Sequence, residues 1–187
     1  MAEPPVPQVD LPANLKSRLK ASHDAIAPQY HEWTILHSTT RLHYLDQLLE
    51  QLPLSNGKPI SILELGCGCG VPVTQKLLSH PNFSITANDL STAQLTLARA
   101  TLPSDHLTLV EGDMLALDFA PATFDAVVGM YLSRGTCQPG RADSEQRLSS
   151  LSEPRTRSVL FILAPFESRR NGTSELSMSS RNGVYCL

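Results

Sequence analysis

Ile60-Ser61-Ile62-Leu63-Glu64-Leu65-Gly66-Cys67-Gly68-Cys69-Gly70 sets an apolar strand directly against a glycine-dense turn, and the run Val73 to Leu78 behind it has a helical pattern. Glycines at 66, 68 and 70 let the chain turn sharply with φ > 0 and let its backbone approach a ligand closely. The helix that follows aims free N–H groups at the same spot. The segment therefore reads as a ligand-binding loop. Glu64 narrows the choice of ligand, because it stands two residues before the first glycine, where a strand end delivers a carboxylate into a cleft. A carboxylate there repels a pyrophosphate and attracts a cationic amino group.

Downstream of this loop, apolar runs and helical patterns alternate, which predicts an α/β domain with a mainly parallel sheet. Five strands are expected, at Ile60 to Leu65, Phe83 to Asn88, Leu107 to Glu111, Asp125 to Gly129 and Val159 to Leu163. Helices are expected at Pro72 to Ser79 and Thr92 to Ala100. Ser91 and Gln94 fit a capping box at the start of the latter. Upstream, Leu42, Leu45, Leu48, Leu49 and Leu52 repeat at helical spacing, with Pro53 and Asn56-Gly57 closing that segment. A further helix is expected over Pro12 to Ile26, with Pro28-Gln29-Tyr30 separating the two.

The chain has 187 residues, a formal charge of -3 and four cysteines, which fits a single globular domain. A slightly acidic balance excludes the clustered basic footprint of a nucleic-acid binder. The proline-rich start has neither a basic nor an apolar signal region, and Val159 to Phe166 is too short to cross a bilayer. A cytoplasmic protein with no membrane span is expected. The cysteines at 67, 69, 137 and 186 lack zinc-site spacing, so free thiols and no metal are expected, and a soft metal pair at Cys67 and Cys69 is set aside.

Two acids fall where parallel strands end, the edge at which open α/β sheets bind ligands. Asp89, followed by Leu90, lies about 20 residues past the glycine loop, the spacing expected of a ribose-binding acid. Gly112-Asp113-Met114 follows the third strand. In this order the loop, Asp89 and Asp113 resemble the signature of the class I S-adenosylmethionine (SAM) dependent methyltransferases. Phe124-Asp125-Ala126-Val127-Val128-Gly129-Met130-Tyr131 resembles the fourth motif of that family, in which the acid is structural. Tyr30-His31-Glu32-Trp33 resembles the aromatic segment that closes over the cofactor.

The resemblance implies a Rossmann-like, mainly parallel sheet with flanking helices, and SAM as cofactor. It implies an SN2 methyl transfer to a small-molecule acceptor. By the same resemblance Glu64 holds the methionyl ammonium, while Gly66, Cys67, Gly68 and Gly70 approach the methionyl part and sugar. Asp89 binds the ribose, Asp113 and Met114 take adenine, Tyr30 belongs to the lid, and Leu90 is counted among the cofactor-binding residues. No catalytic base is named, and oligomeric state is not written in the sequence. Residues 1–55 are read as a helical lid segment, 56–132 as the SAM-binding core and 133–187 as a low-order tail with one strand at 159–163.

The tail departs from the family pattern. From Ser133 onward come eight of the fifteen basic residues, all arginine, and eleven of the twenty serines. Ser133 to Ser158 lacks any sustained apolar period, which is the composition of disorder. The expectation is a methyltransferase domain truncated or altered after the fourth motif, incomplete at the C-terminal end, with impaired activity. A changed reading frame or retained intron after Tyr131 is one explanation. A non-catalytic SAM-binding remnant is the alternative, and a nicotinamide dehydrogenase a more distant one, since Gly66 to Val71 places the third glycine one residue early for a dinucleotide loop.

Overall fold

A computed structural model describes residues 14–36, 38–50, 52, 59–120 and 123–130, together with the backbone of three later strands. The order among the described residues is α1 (Leu15–Leu36), α2 (Ser38–Leu49), β1 (Ile60–Leu65), α3 (Val73–Leu78), β2 (Phe83–Asp89), α4 (Thr92–Thr101), β3 (Leu107–Glu111), a 3₁₀ turn (Met114–Ala116) and β4 (Ala126–Met130), then β5 (Leu160–Leu163), β6 (Ser179–Arg181) and β7 (Val184–Cys186). The strands form one sheet in the order β3-β2-β1-β4-β5-β7-β6. Neighbours run parallel from β3 through β7, and β6 is antiparallel to β7. This is the predicted Rossmann-like arrangement.

The central strand is covered on both faces, as parallel sheets require. On one face Ile60 and Ile62 pack with Leu45, Leu48 and Leu49 of α2 and with Val73 and Leu77 of α3. On the other, Leu63 and Leu65 pack with Phe124 and Val127. Because side chains alternate along a strand, Glu64 shares its face with Ile60 and Ile62 and so points toward the α2 and α3 side. Asp125 does the structural work expected of it. Its carboxylate accepts from the Ser61 N–H at 2.8 Å, and its own N–H donates to the Ser61 carbonyl at 2.8 Å, which pins the approach to β4 against β1.

The first five strands fall within one residue of their predicted ends. The N-terminal helices do not follow the prediction. α1 continues through Pro28 to Leu36, although a proline inside a helix loses one backbone hydrogen bond and crowds the preceding turn. Tertiary contacts offset that cost: Asp24 and Lys20, in the turns before Pro28, are bonded to the start of α4 and the end of β3. α2 begins at Ser38 and ends at Leu49, earlier than its leucine period suggests. The β6–β7 pair was not anticipated from the tail's composition, since three-residue strands are too short to display alternation. The rest of 133–187, the stretch 53–58 and the first thirteen residues lie outside the described residues, and so do the expectations placed on them.

Candidate functional site

The order β3-β2-β1-β4 reverses direction at β1, so the crevice at the carboxyl ends of β1 and β4 is the topological switch point where such sheets take ligands. A shallow cleft opens there. Its lining gathers Tyr30, Glu64, Gly66, Cys67 and Gly68 from the predicted set, together with Thr34, Arg41 and Met130. Gly70, Asp89, Leu90, Asp113 and Met114 are not part of that lining.

The turn after β1 needs its glycines for two different reasons. Gly68 has φ of 59°, a left-handed conformation costly for other residues, and a Cβ there would face Tyr30 and the Gln94 side-chain oxygen at 3.8 Å. Gly68 is thus the open surface of the loop. Gly70, with φ of 78°, is a packing glycine: a Cβ there would meet Leu102 Cδ1 at 2.6 Å and Thr74 Oγ1 at 3.3 Å.

Glu64 is 2% exposed and accepts a hydrogen bond from Thr74 Oγ1 at 2.6 Å. Burial pushes its carboxyl up to about 8. The Thr74 hydrogen bond opposes the shift, the nearby Asp89 charge adds to it and the Arg41 charge opposes it. Burial also raises the thiols of Cys67 and Cys69, which therefore stay protonated, as small loop residues rather than nucleophiles. Cys69 Sγ lies 2.9 Å from His31 Nδ1, so that histidine belongs to the loop's underside and not to the free surface. No group of three metal-ligating side chains occurs among the described residues.

Asp89 is buried and already engaged. One oxygen accepts from the Gly68 N–H and the other from the Ser91 N–H, each at 2.8 Å, so the acid ties the end of β2 to the glycine loop. Burial raises its carboxyl, with the Ser91 and Gly68 N–H groups opposing. A carboxylate has about four acceptor directions, so two remain for hydroxyl donors. This geometry also revises the expected capping box. Ser91 Oγ accepts from Gln94 N at 3.2 Å as predicted, but the Ser91 N–H is taken by Asp89, and Gln94 Oε1 is left buried without a partner among the described residues.

Asp113 caps the 3₁₀ turn by accepting from Leu115 N at 3.1 Å and is ion-paired with Lys16 of α1. Lys20 reaches Glu111 at 2.9 Å and the Leu90 carbonyl at 3.2 Å. Asp24 accepts from Ser91 Oγ at 2.6 Å and from Ala93 N at 3.0 Å, and these two bonds hold its carboxyl below the usual range. α1 is therefore latched over the ends of β2 and β3 by three side chains that sequence reading passed over. Nothing local marks them, since their partners lie about 70 to 100 residues away. Arg41 was also passed over, although it carried a signal: it interrupts the apolar stripe that continues through Leu45, Leu48 and Leu52, and a charge on a buried face calls for a reason.

Residues 62–146 match the family model described as a methyltransferase domain. The chain is 25% identical over 154 residues to demethylmenaquinone methyltransferase of Chlamydia pneumoniae, covering 82% of this chain and 65% of that protein. It is 36% identical over 69 residues to malonyl-[acyl-carrier protein] O-methyltransferase of Priestia megaterium, covering 36% of this chain and 25% of that one. The fold resembles that of a Haloferax volcanii methyltransferase solved in complex with the Trm112 methyltransferase activator, with a TM-score of 0.56 and 20% identity over 70% of this chain and 55% of the other. Residues 62–146 thus resemble a methyltransferase domain, and the fold is Rossmann-like. The chain spans less than two thirds of each of these relatives, and none of them supports the dehydrogenase alternative.

Proposed function

We propose that this protein is a SAM-dependent methyltransferase acting on a small-molecule acceptor. The observation that carries the reading is Glu64, a carboxyl buried at the mouth of the glycine turn at the sheet's switch point, where an ammonium group is the ligand that repays its burial. The residues present fit SAM. Glu64 takes the ammonium, the Gly66 to Gly68 backbone borders the methionyl chain, and Asp89 has acceptor capacity left for ribose hydroxyls. Gln94 Oε1, orphaned beside Gly68, is a further acceptor on the sugar side. Asp113 and Met114 face the adenine end and Tyr30 lies over the loop.

When bound there, SAM supplies a sulfonium-activated methyl group, and the chemistry asks mainly for alignment and exclusion of water. Glu64 and Asp89 fix the two ends of the cofactor, while Tyr30, Thr34 and Met130 border the space beside its reactive centre. The small-molecule acceptor is supported by the likeness to a demethylmenaquinone methyltransferase, and a carboxylic acceptor by the likeness to a malonyl-[acyl-carrier protein] O-methyltransferase. Calorimetric titration tests the cofactor: SAM and S-adenosylhomocysteine should bind and NADH should not. Failure of SAM to bind sinks the reading. Accumulation of S-adenosylhomocysteine with quinol or carboxylic acceptors then separates an enzyme from a domain that only binds.

A further inference from the structure

We propose that Thr74 is a positioning residue for the cofactor's ammonium: its hydroxyl holds Oε2 of Glu64 from the helix side, so that Oε1 is the oxygen that meets the ligand. The inference deepens the reading above and rests on it. Thr74 stands in the first turn of α3, is fully buried and donates to Glu64 Oε2 at 2.6 Å. Glu64 lines the cleft and Thr74 does not, so the bond is made from behind the site.

The surroundings fix that bond. In the sheet Glu64 stands between Ala87 of β2 and Val128 of β4, both buried, and neither side chain can donate a hydrogen bond. Gly70 makes room for the donor that α3 brings: a Cβ there would come within 3.3 Å of Thr74 Oγ1 and 3.4 Å of Thr74 Cβ. A β-branched side chain has few rotamers, and its hydroxyl has one proton to give. The usual alternative for a helical threonine is the carbonyl four residues back. That carbonyl, of Gly70, accepts from the Gln75 N–H at 2.9 Å, while the Thr74 proton goes to Glu64.

The bond decides which oxygen carries the acid proton. Burial holds the Glu64 carboxyl at about 8, so the ligand-free group is protonated at neutral pH. With Thr74 donating to Oε2, the proton sits on Oε1 and leaves to water as the ammonium takes its place. Thr74 also eases that loss, because a hydrogen bond to the charged form favours it. Of the other groups that face Glu64, Asp89 at the end of β2 opposes ionisation and Arg41 of α2 favours it. Cys67 of the turn stays neutral, since burial raises its thiol well above the usual range, and Tyr30 of α1 shares the cleft.

The test titrates S-adenosylhomocysteine, which carries the same amino-acid end as SAM, into the parent chain, Thr74→Val and Thr74→Ser across neutral and alkaline pH, with melting curves recorded alongside. The control ligand is 5′-methylthioadenosine, which lacks the amino-acid end. At neutral pH Thr74→Val should bind S-adenosylhomocysteine roughly 10- to 100-fold more weakly than the parent, the worth of a hydrogen bond to a charged group. The pH at which its affinity levels off should lie above the parent's value of about 8, so that the deficit narrows in alkali. Thr74→Ser should stay within about threefold of the parent throughout, and all three chains should bind 5′-methylthioadenosine alike. A loss that is equal for both ligands, or independent of pH, would make Thr74 only a brace for α3, and the proposal falls. Should Thr74→Val not fold, Thr74→Ser decides: parent-like binding supports the proposal, and a loss of about tenfold overturns it, because the hydroxyl is still there. A parent that binds both ligands and is matched by Thr74→Val rejects this inference alone. A folded parent that binds neither rejects the cofactor reading and the inference with it.

Discussion

The β1 cleft and the neighbouring ends of β2 and β3 are built differently. At the β1 end, the buried Glu64 accepts from the neutral Thr74 hydroxyl, which leaves the carboxyl acceptor capacity for a ligand's charge. At the β2 and β3 end, Asp89 and Asp113 already have protein partners: Gly68 and Ser91 N–H groups for the first, Lys16 and Leu115 N for the second. A ligand therefore completes the first and must share or displace contacts in the second. Affinity should be concentrated at the methionyl end, and control of access at the adenosyl end.

The largest expected effect is at the β1 cleft. Glu64→Gln keeps the shape and removes the charge, so it should weaken SAM binding by about 3 to 5 kcal/mol, the cost of breaking a buried ion pair. Comparable affinity for parent and variant by calorimetry would move the weight of binding to the β2 and β3 end. The same residue predicts a pH dependence. Its carboxyl is held near 8 in the ligand-free chain and an ammonium would lower it, so binding releases a proton below that value. Affinity should climb with pH, by at most about tenfold per unit, and level off above about 8. Stability runs the other way. A carboxyl raised on folding supports the native state at acid pH, and that support is lost as pH rises from its unfolded value of about 4.3 through 8. Ligand-free Glu64→Gln should therefore melt higher than the parent at pH 9, and little differently at pH 4. A lower melting point at pH 9 would contradict the burial argument.

The next largest effect concerns the loop that joins the two. Gly70→Ala combines left-handed strain with collision against Leu102 and should cost about 2 to 4 kcal/mol of stability, whereas Gly68→Ala meets only ordinary contacts and should cost about 1 to 2 kcal/mol. Denaturant midpoints would reveal the order, and a reversed order would mean that the loop is held by its mouth and not by its underside.

Asp89→Ala should weaken SAM binding by about 1.5 to 3 kcal/mol, and should also lower the melting temperature because it releases the Gly68 and Ser91 N–H groups. Normal binding together with a lowered melting point would make Asp89 a brace alone. The smallest effect is at the latch. Lys16 is 66% exposed, so Lys16→Ala should leave stability nearly unchanged and raise SAM affinity by roughly threefold at most, as Asp113 is freed for adenine. A fall in affinity would instead make Lys16 part of the adenine site.

Much of the framework was legible in the chain because its signals are local. Apolar runs bounded by turn residues gave β1 through β5 to within a residue. The glycine spacing gave the loop, and Ser91 gave the start of α4. The position of Glu64 before the first glycine even foretold a cleft carboxyl. Helix limits around Pro28 and Ser38 were less legible, since a proline's local cost was outweighed by bonds from Asp24 and Lys20 to distant elements.

By itself, then, the sequence determined the α/β order, the glycine turn and the acids at strand ends, all of which follow from periodicity and backbone preference within a few residues. Only the tertiary structure decided that Asp89 is spent partly on the loop, that Asp113 is paired to Lys16, and that Arg41 shares a cleft with Glu64. Those pairings depend on the face to which strand alternation turns a side chain and on which helix the core packs against that face. Both are settled by burial of apolar surface between segments far apart in the chain.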